Sequence, residues 1–522
     1  MSEKSQSLTR RHFLRGMLAG GGVVAGSALL AACGGATQTT QPTAGSSGEA
    51  ATAAPAGDAA TAAPAAVVTT AAPVVAEKVE LTHWDWWVTQ SPWLDNEISL
   101  FQEANPGITI NRTVQSGKYD ELLQLAFKDN SAPDTFFSQL PFLDLVTNKM
   151  IMPYSDFSDF AEWQKTVPNL EISFTEGSNQ IDGKTYAAPT EARSAWWNQI
   201  YVNTDVLNKY GITEVPKTME QFLEANRKVT KDSNGEAYGF ANPLSSGWTG
   251  QMIWYMGQLS GAPFGGDDFK TGRYSLSNPA YQKNLESFKM LKDEGLILPE
   301  SSSIDDEGIR AMFAEGRAAF FTGGVWCVPG WAQTHPDFKG YTMMPPPLID
   351  TNEPVSYFYT GPGQTGRSHY INANSKHADA AWTWTKWLNG REASSRWVTS
   401  GNGLSYWDED NDPNATDNAA LKVYFAENPK INRIGPARTI RNPDIAKVAE
   451  AAVKPSEEDV VTGIYSGQIT DIPGTLAQLE KDKNAAREQA VADAVAAGAK
   501  VSMEDYAFPD WDPSKDYVTK AA

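Results

Sequence analysis

Tryptophan beside a charged group recurs along this chain. Trp84-Asp85-Trp86 ends a run of alternating residues, Glu191 and Arg193 precede Trp196, Trp197 and Tyr201, and Trp326 follows a Gly323-Gly324 pair. A charge set among apolar residues has to be paired, hydrated or used on a ligand, because burying it alone is unfavourable. An indole offers a flat apolar face and one N–H donor. Together these groups fit non-covalent capture, with rings stacked on the apolar faces of sugars and polar groups on hydroxyls. They equally fit a Trp-rich core, a surface ion pair at Glu191 and Arg193, and an Asp85 that caps the next element.

Reactive and metal chemistry finds less support. Cys33 and Cys327 are the two cysteines, one of them in the leader, so no disulfide within the folded part and no zinc–cysteine site is expected. His83, His335, His369 and His377 make no H-E-x-x-H and read as ordinary surface or supporting residues. The Gly-rich stretch Tyr359–Arg367 lacks the G-x-x-x-x-G-K-[ST] of a phosphate loop. Asp408 to Asn418 opens like a calcium loop, but Pro413 stands where Gly is required and no Glu follows at the twelfth place. It reads as a solvated loop, with calcium a lesser alternative, and neither cofactor nor metal is expected. Net charge is −20 over 522 residues, with 59 of the 63 acidic side chains at or after residue 79. That balance argues against a nucleic-acid partner and against adhesion of the folded part to anionic lipid.

The first 33 residues read as an export signal, a basic stretch LTRRHFLRG followed by an apolar Gly/Ala-rich run. Ser7 to Leu14 is similar to a twin-arginine signal, with an ordinary Sec signal as the alternative. Leu30-Ala31-Ala32-Cys33-Gly34 resembles a bacterial lipobox, which implies acylation of Cys33. Residues 34–78 form an Ala/Thr/Pro tether with too few apolar side chains for a core. As a flexible coil it spans roughly 35 Å.

The elements that position the Trp-rich segments follow. Strands are expected at 79–87 and 108–114, with helices over 93–104 and 119–128; with the strand at 132–137 that the family resemblance given below implies, this is a β-α-β-α-β start. Asp182-Gly183 predicts a tight hairpin turn followed by a strand over 185–189, and Trp196-Trp197 would point to opposite faces of a strand. Thr218 and Gln221 predict a capping box, 281–294 an amphipathic helix, and 238–240 a short strand. All 17 Trp lie at or after Trp84, and 522 residues exceed one ordinary core, so two lobes are expected.

Several of these stretches stand in the order of one known family. F-Q-E-A-N-P-G-I-T-I, A-P-D-T-F-F, D-G-K-T-Y-A-A-P, Y-V-N-T-D-V-L-N-K-Y-G-I, P-K-T-M-E-Q-F, F-A-E-G-R-A-A-F-F-T-G-G-V-W and S-K-H-A-D-A-A-W together resemble extracellular solute-binding proteins of ABC importers, sugar type. The resemblance implies an α/β, two-lobed fold of periplasmic-binding-protein type II with a ligand cleft between the lobes. Lobe 1 is expected over 79–190 and 366–410, lobe 2 over 191–365 and 411–522. It implies ligand contacts from Trp84, Asp85 and Trp86 at the end of the first strand, and from Ser138 and Gln139 after the third. Glu191 and Arg193 at the crossing, Trp248, the helix carrying Trp254, Trp326 and Arg367 complete the set, with a further cleft-edge loop at Ser400–Ser405. It further implies capture of a mono- or oligosaccharide by lobe closure, delivery to permease subunits, a lipid anchor on the extracytoplasmic face, a monomer and no catalysis. A secreted glycoside hydrolase, or a binding protein for a polyol or glycerol phosphate, remains the alternative; a redox enzyme lacks its motifs.

Overall fold

The computed structural model describes residues 78–115, 117–189, 195–196, 198–361 and 368–517, all within the unit Val74–Ala522. The export signal, Cys33, the tether, Glu191, Arg193, Trp197 and Arg367 lie outside the described residues.

Two four-stranded sheets organise the chain. The first contains β1 (Val79–Asp85), β2 (Ile108–Val114) and β3 (Thr135–Phe137). The second contains β4 (Gln199–Asn203), β5 (Tyr238–Ala241), β6 (Ala318–Gly323) and β7 (Tyr341–Met344). The chain then returns to the first sheet as β8 (His369–Ile371), giving the orders β8-β3-β1-β2 and β7-β4-β6-β5. β1 runs parallel to β2 and β3, and β8 is antiparallel to β3. β6 is parallel to β5 and antiparallel to β4. The β-α-β-α-β start is present, with helices Ser91–Ala104 and Tyr119–Lys128.

Local chemistry sets these boundaries. Pro92 suits the first turn of its helix, where no intrahelical N–H partner is needed, and Asn105 closes the last turn onto the Phe101 carbonyl at 2.8 Å. Asp182 and Gly183 both adopt positive φ, the mirror-turn geometry a two-residue hairpin needs, but the following strand is only Lys184–Thr185. Thr218 and Gln221 form the expected capping box on helix Met219–Asp232.

Each sheet buries both faces. Along β4, Ile200 and Val202 enter one core while Tyr201 enters the other, the two-residue alternation of a strand. Nine of the described Trp are buried, so most of the indole content is core. Trp254 is among them. It is fully buried against Tyr281, 5.1 Å between ring centres, because its short helix Gly250–Tyr255 turns that face into the second sheet's core. It therefore lines no cleft. Trp196 precedes β4 rather than lying on a strand, and its backbone N–H donates to Asn428 Oδ1 at 2.8 Å. The histidines also depart from expectation. His83 and His369 are buried in the first sheet's core with rings stacked 5.5 Å apart. Among the described residues no helix is long and apolar enough to cross a membrane.

Candidate functional site

A cleft of about 660 Å³ opens where strands from both sheets end. That volume falls within the roughly 300–1,000 Å³ of small-molecule sites. Its first wall is the segment just after β1, Trp86 to Gln90, joined by Gln139 after β3. Its second wall comes from Trp248 and Gln251 after β5, Asp306, Glu307 and Arg310 on helix Asp306–Ala314, and Val325 and Trp326 after β6. Trp397 and Asn402 close one side. Ligands of open α/β sheets sit outside the carboxyl ends of the strands, as this cleft does.

The first wall is held by an ion pair rather than offering one. Asp85 is fully buried, and its carboxylate accepts from Arg112 Nε at 2.7 Å, Arg112 Nη2 at 2.8 Å and the Trp87 backbone N–H at 2.8 Å. Parallel pairing of β1 with β2 brings Arg112 beside it. Asp85 is thus a clamp that turns the chain and presents Trp86, and it does not itself line the cleft. Trp86 is half-buried and meets Tyr119 at 5.2 Å, while Trp87 stacks on Phe137 at 4.1 Å. Trp84, two residues back, packs against the cluster of Tyr119, Leu123 and Phe136 and stays outside the cleft. Ser138 is buried with Oγ accepting from the Leu140 N–H at 3.0 Å, so of this pair Gln139 alone reaches the cleft.

The second wall carries an aromatic pair. Trp248 is 40% exposed, and its ring centre lies 5.6 Å from that of Trp326 at an interplanar angle of 56°. Gly324 lets the Trp326 ring fold back over the main chain, since a Cβ there would fall inside the ring. Beneath them Asp306 lies in the first turn of its helix, its N–H donating to Ser246 Oγ at 2.9 Å. Burial raises its pKa above the usual carboxylate range, opposed by the Arg310 cation and by a hydrogen bond from Trp326. Arg310 is almost wholly buried, with Nη1 at 3.5 Å from Asp306 and Nη2 at 3.8 Å from Glu307. Burial pushes the neighbouring Cys327 thiol up to about 12, which leaves it protonated and unreactive.

The structure therefore gathers Trp86, Gln139, Trp248 and Trp326 around one cleft and removes Trp84, Asp85, Ser138 and Trp254 from it. Sequence reasoning missed Asp306, Arg310, Gln251 and Trp87, and reached Asn402 only as part of the expected cleft-edge loop Ser400–Ser405. Asp305-Asp306-Glu307 looks like any acidic helix start, and Asp305 is indeed the cap, accepting from Gly308 N–H at 2.9 Å. Gly401-Asn402-Gly403 was the available signal for Asn402, a polar side chain on backbone that packs closely.

Rings and polar groups from two sheets around a shared cleft define a two-lobed α/β binding protein. The chain belongs to the bacterial extracellular solute-binding protein family, whose family description matches residues 85–394. A Brucella abortus protein described as a binding protein is 24% identical over 311 residues, 59% of this chain and 71% of that one. The Bacillus subtilis maltodextrin-binding protein MdxE is 22% identical over 256 residues, 47% of this chain and 53% of that one. The structure of the GacH receptor of Streptomyces glaucescens, solved unliganded and with acarbose, superposes with a TM-score of 0.60 at 16% identity, covering 78% of this chain and 98% of that one.

Proposed function

We propose that this protein captures an oligosaccharide by closing two lobes, 79–190 with 366–410 and 191–365 with 411–522, and hands it to an ABC permease. The observation that carries the reading is the Trp248–Trp326 pair sharing a cleft with Trp86 and the polar groups of Gln139, Gln251, Asp306 and Asn402. Flat rings bury the apolar faces of pyranoses, and side-chain acceptors and donors satisfy their hydroxyls. The naming of one relative for maltodextrin and the acarbose complex of GacH support a sugar over a polyol or glycerol phosphate. Glu191, Arg193 and Arg367 add to the polar set in this reading. No bond is made or broken. Cys33 carries the lipid that anchors a monomer on the extracytoplasmic face, and the Ala/Thr/Pro segment holds it clear of the bilayer.

Thermal unfolding of the full chain against maltodextrins, chitobiose, raffinose, polyols and glycerol phosphates tests this. A ligand at 100 times Kd stabilises by about 2.7 kcal/mol. A shift with a sugar recovered intact supports capture, whereas cleavage of that sugar or a response confined to glycerol phosphates refutes it. Cys33→Ser should move the protein from the membrane fraction to the medium or periplasm; retention would refute the anchor.

A further inference from the structure

The two rings of the cleft's aromatic pair hang from different segments, Trp248 from the stretch after β5 and Trp326 from the turn after β6. One residue reaches the supports of both. The Asp306 N–H donates to Ser246 Oγ at 2.9 Å, and Ser246 ends the single turn Leu244–Ser246. The Ser246 carbonyl accepts from the Trp248 N–H at 2.8 Å, with Gly247 at φ of +70° turning the chain between them. The Ser245 hydroxyl donates to the Ile304 carbonyl, a second tie between the same two segments. On its other side, the Asp306 carboxylate accepts from the Trp326 indole. Asp306 is itself well fixed. It opens helix Asp306–Ala314, which Asp305 caps, and its Oδ2 lies 3.5 Å from Arg310 Nη1, one helical turn on. Arg310 is anchored in turn by the Trp331 indole, which donates to its carbonyl at 2.9 Å.

We infer that Asp306 is the positioning residue of the aromatic platform: its backbone holds the turn that carries Trp248, and its carboxylate holds the Trp326 ring. The two indoles thereby keep their 5.6 Å spacing and 56° angle before a sugar arrives. This rests on the oligosaccharide-capture reading. A ring already in place loses less freedom on binding, and the difference appears as affinity. Trp248, Trp326 and Asp306 all stand in the second wall, so lobe closure brings the first wall onto a finished platform.

The test compares the full chain with Asp306→Ala and Asp306→Asn, using maltotriose, N,N′-diacetylchitobiose and raffinose as probes. Calorimetry reads affinity. Circular dichroism reads the coupled signal of two adjacent indoles, which the difference between the native chain and Trp248→Phe identifies. Asp306→Ala should bind whichever probe the native chain takes about tenfold more weakly and lose the coupled signal. Asp306→Asn keeps an oxygen for the indole N–H, so it should stay within about threefold of the native chain and retain the signal. Should Asp306→Ala fold poorly, Ser246→Ala, which frees only the Trp248 turn, should diminish the same signal. Weaker binding with the coupled signal intact would assign Asp306 a direct contact with sugar and overturn the inference. A lowered melting temperature with signal and affinity unchanged shows a merely structural role and overturns it too. So does an Asn variant as weak as the Ala variant, because charge rather than position then decides. Absence of binding by the native chain to any probe refutes oligosaccharide capture, while the coupled signal still decides the positioning.

Discussion

Acidification from pH 7 to pH 5 should remove about 2 kcal/mol of stability through His83 alone. His83 lies in β1, fully buried, with Nδ1 2.9 Å from Thr135 Oγ1 and its ring between Phe137, His369 and Trp384. Burial, and then the Arg112 cation, lowers its pKa from 6.5 to about 3. Asp85, 3.9 Å from Nε2, is already engaged by Arg112. The folded protein keeps this imidazole neutral while the unfolded chain protonates it, so its contribution is complete above the unfolded pKa and declines as pH falls from 6.5 towards 3. Over that whole window the loss reaches about 5 kcal/mol, at about 1.4 kcal/mol for each pH unit between the two pKa values. Urea unfolding followed by Trp fluorescence at both pH values, on the native chain and on His83→Asn, isolates the effect from carboxylates common to both. The variant starts less stable through lost packing but should lose about 2 kcal/mol less on acidification. Equal losses in the two proteins would refute the reasoning.

Four other substitutions separate cleft from core. Trp326→Ala should weaken sugar binding about tenfold by calorimetry with little change in unfolding, whereas Trp254→Ala should cost about 3–5 kcal/mol in urea and leave affinity intact in the folded fraction. Arg112→Leu leaves Asp85 buried without its cation and should destabilise by about 3–5 kcal/mol; a loss below about 1 kcal/mol would show that the Trp87 amide suffices. Gly324→Ala should weaken sugar binding to a similar degree as Trp326→Ala, read by the same calorimetry, because the added methyl displaces the ring.

Local signals carried much of the fold into view. The Ile108–Val114 alternation, the Asn105-Pro106-Gly107 stop, the Asp182-Gly183 turn and the Thr218–Gln221 box each depend on residues a few positions apart, and each element stands where they place it. The site was legible at Trp86, Gln139 and Trp248 through the order of the motifs, and at Trp326 also through a backbone feature, Gly324, that delivers the side chain. Nothing local showed that Trp254 is covered, since its burial depends on packing against Tyr281, 27 residues along the chain. Asp85 resembled a ligand residue because Arg112, its partner, is 27 positions away on the next strand. The two buried histidines were hidden for a related reason: β8, which carries His369, joins β3 only after the chain has built the second sheet and come back, and only then does His369 stack on His83 of β1.

Gly324 and Trp326 act as one structural unit. Because the ring rests on the main chain of residue 324 rather than on a replaceable side chain, substitutions at either position act on the same aromatic surface. The pair is in effect a floor poured with the backbone, and Gln139, Gln251 and Asn402 stand around it on separate segments, so a change at any of these three leaves the main-chain seat of the indole as it is.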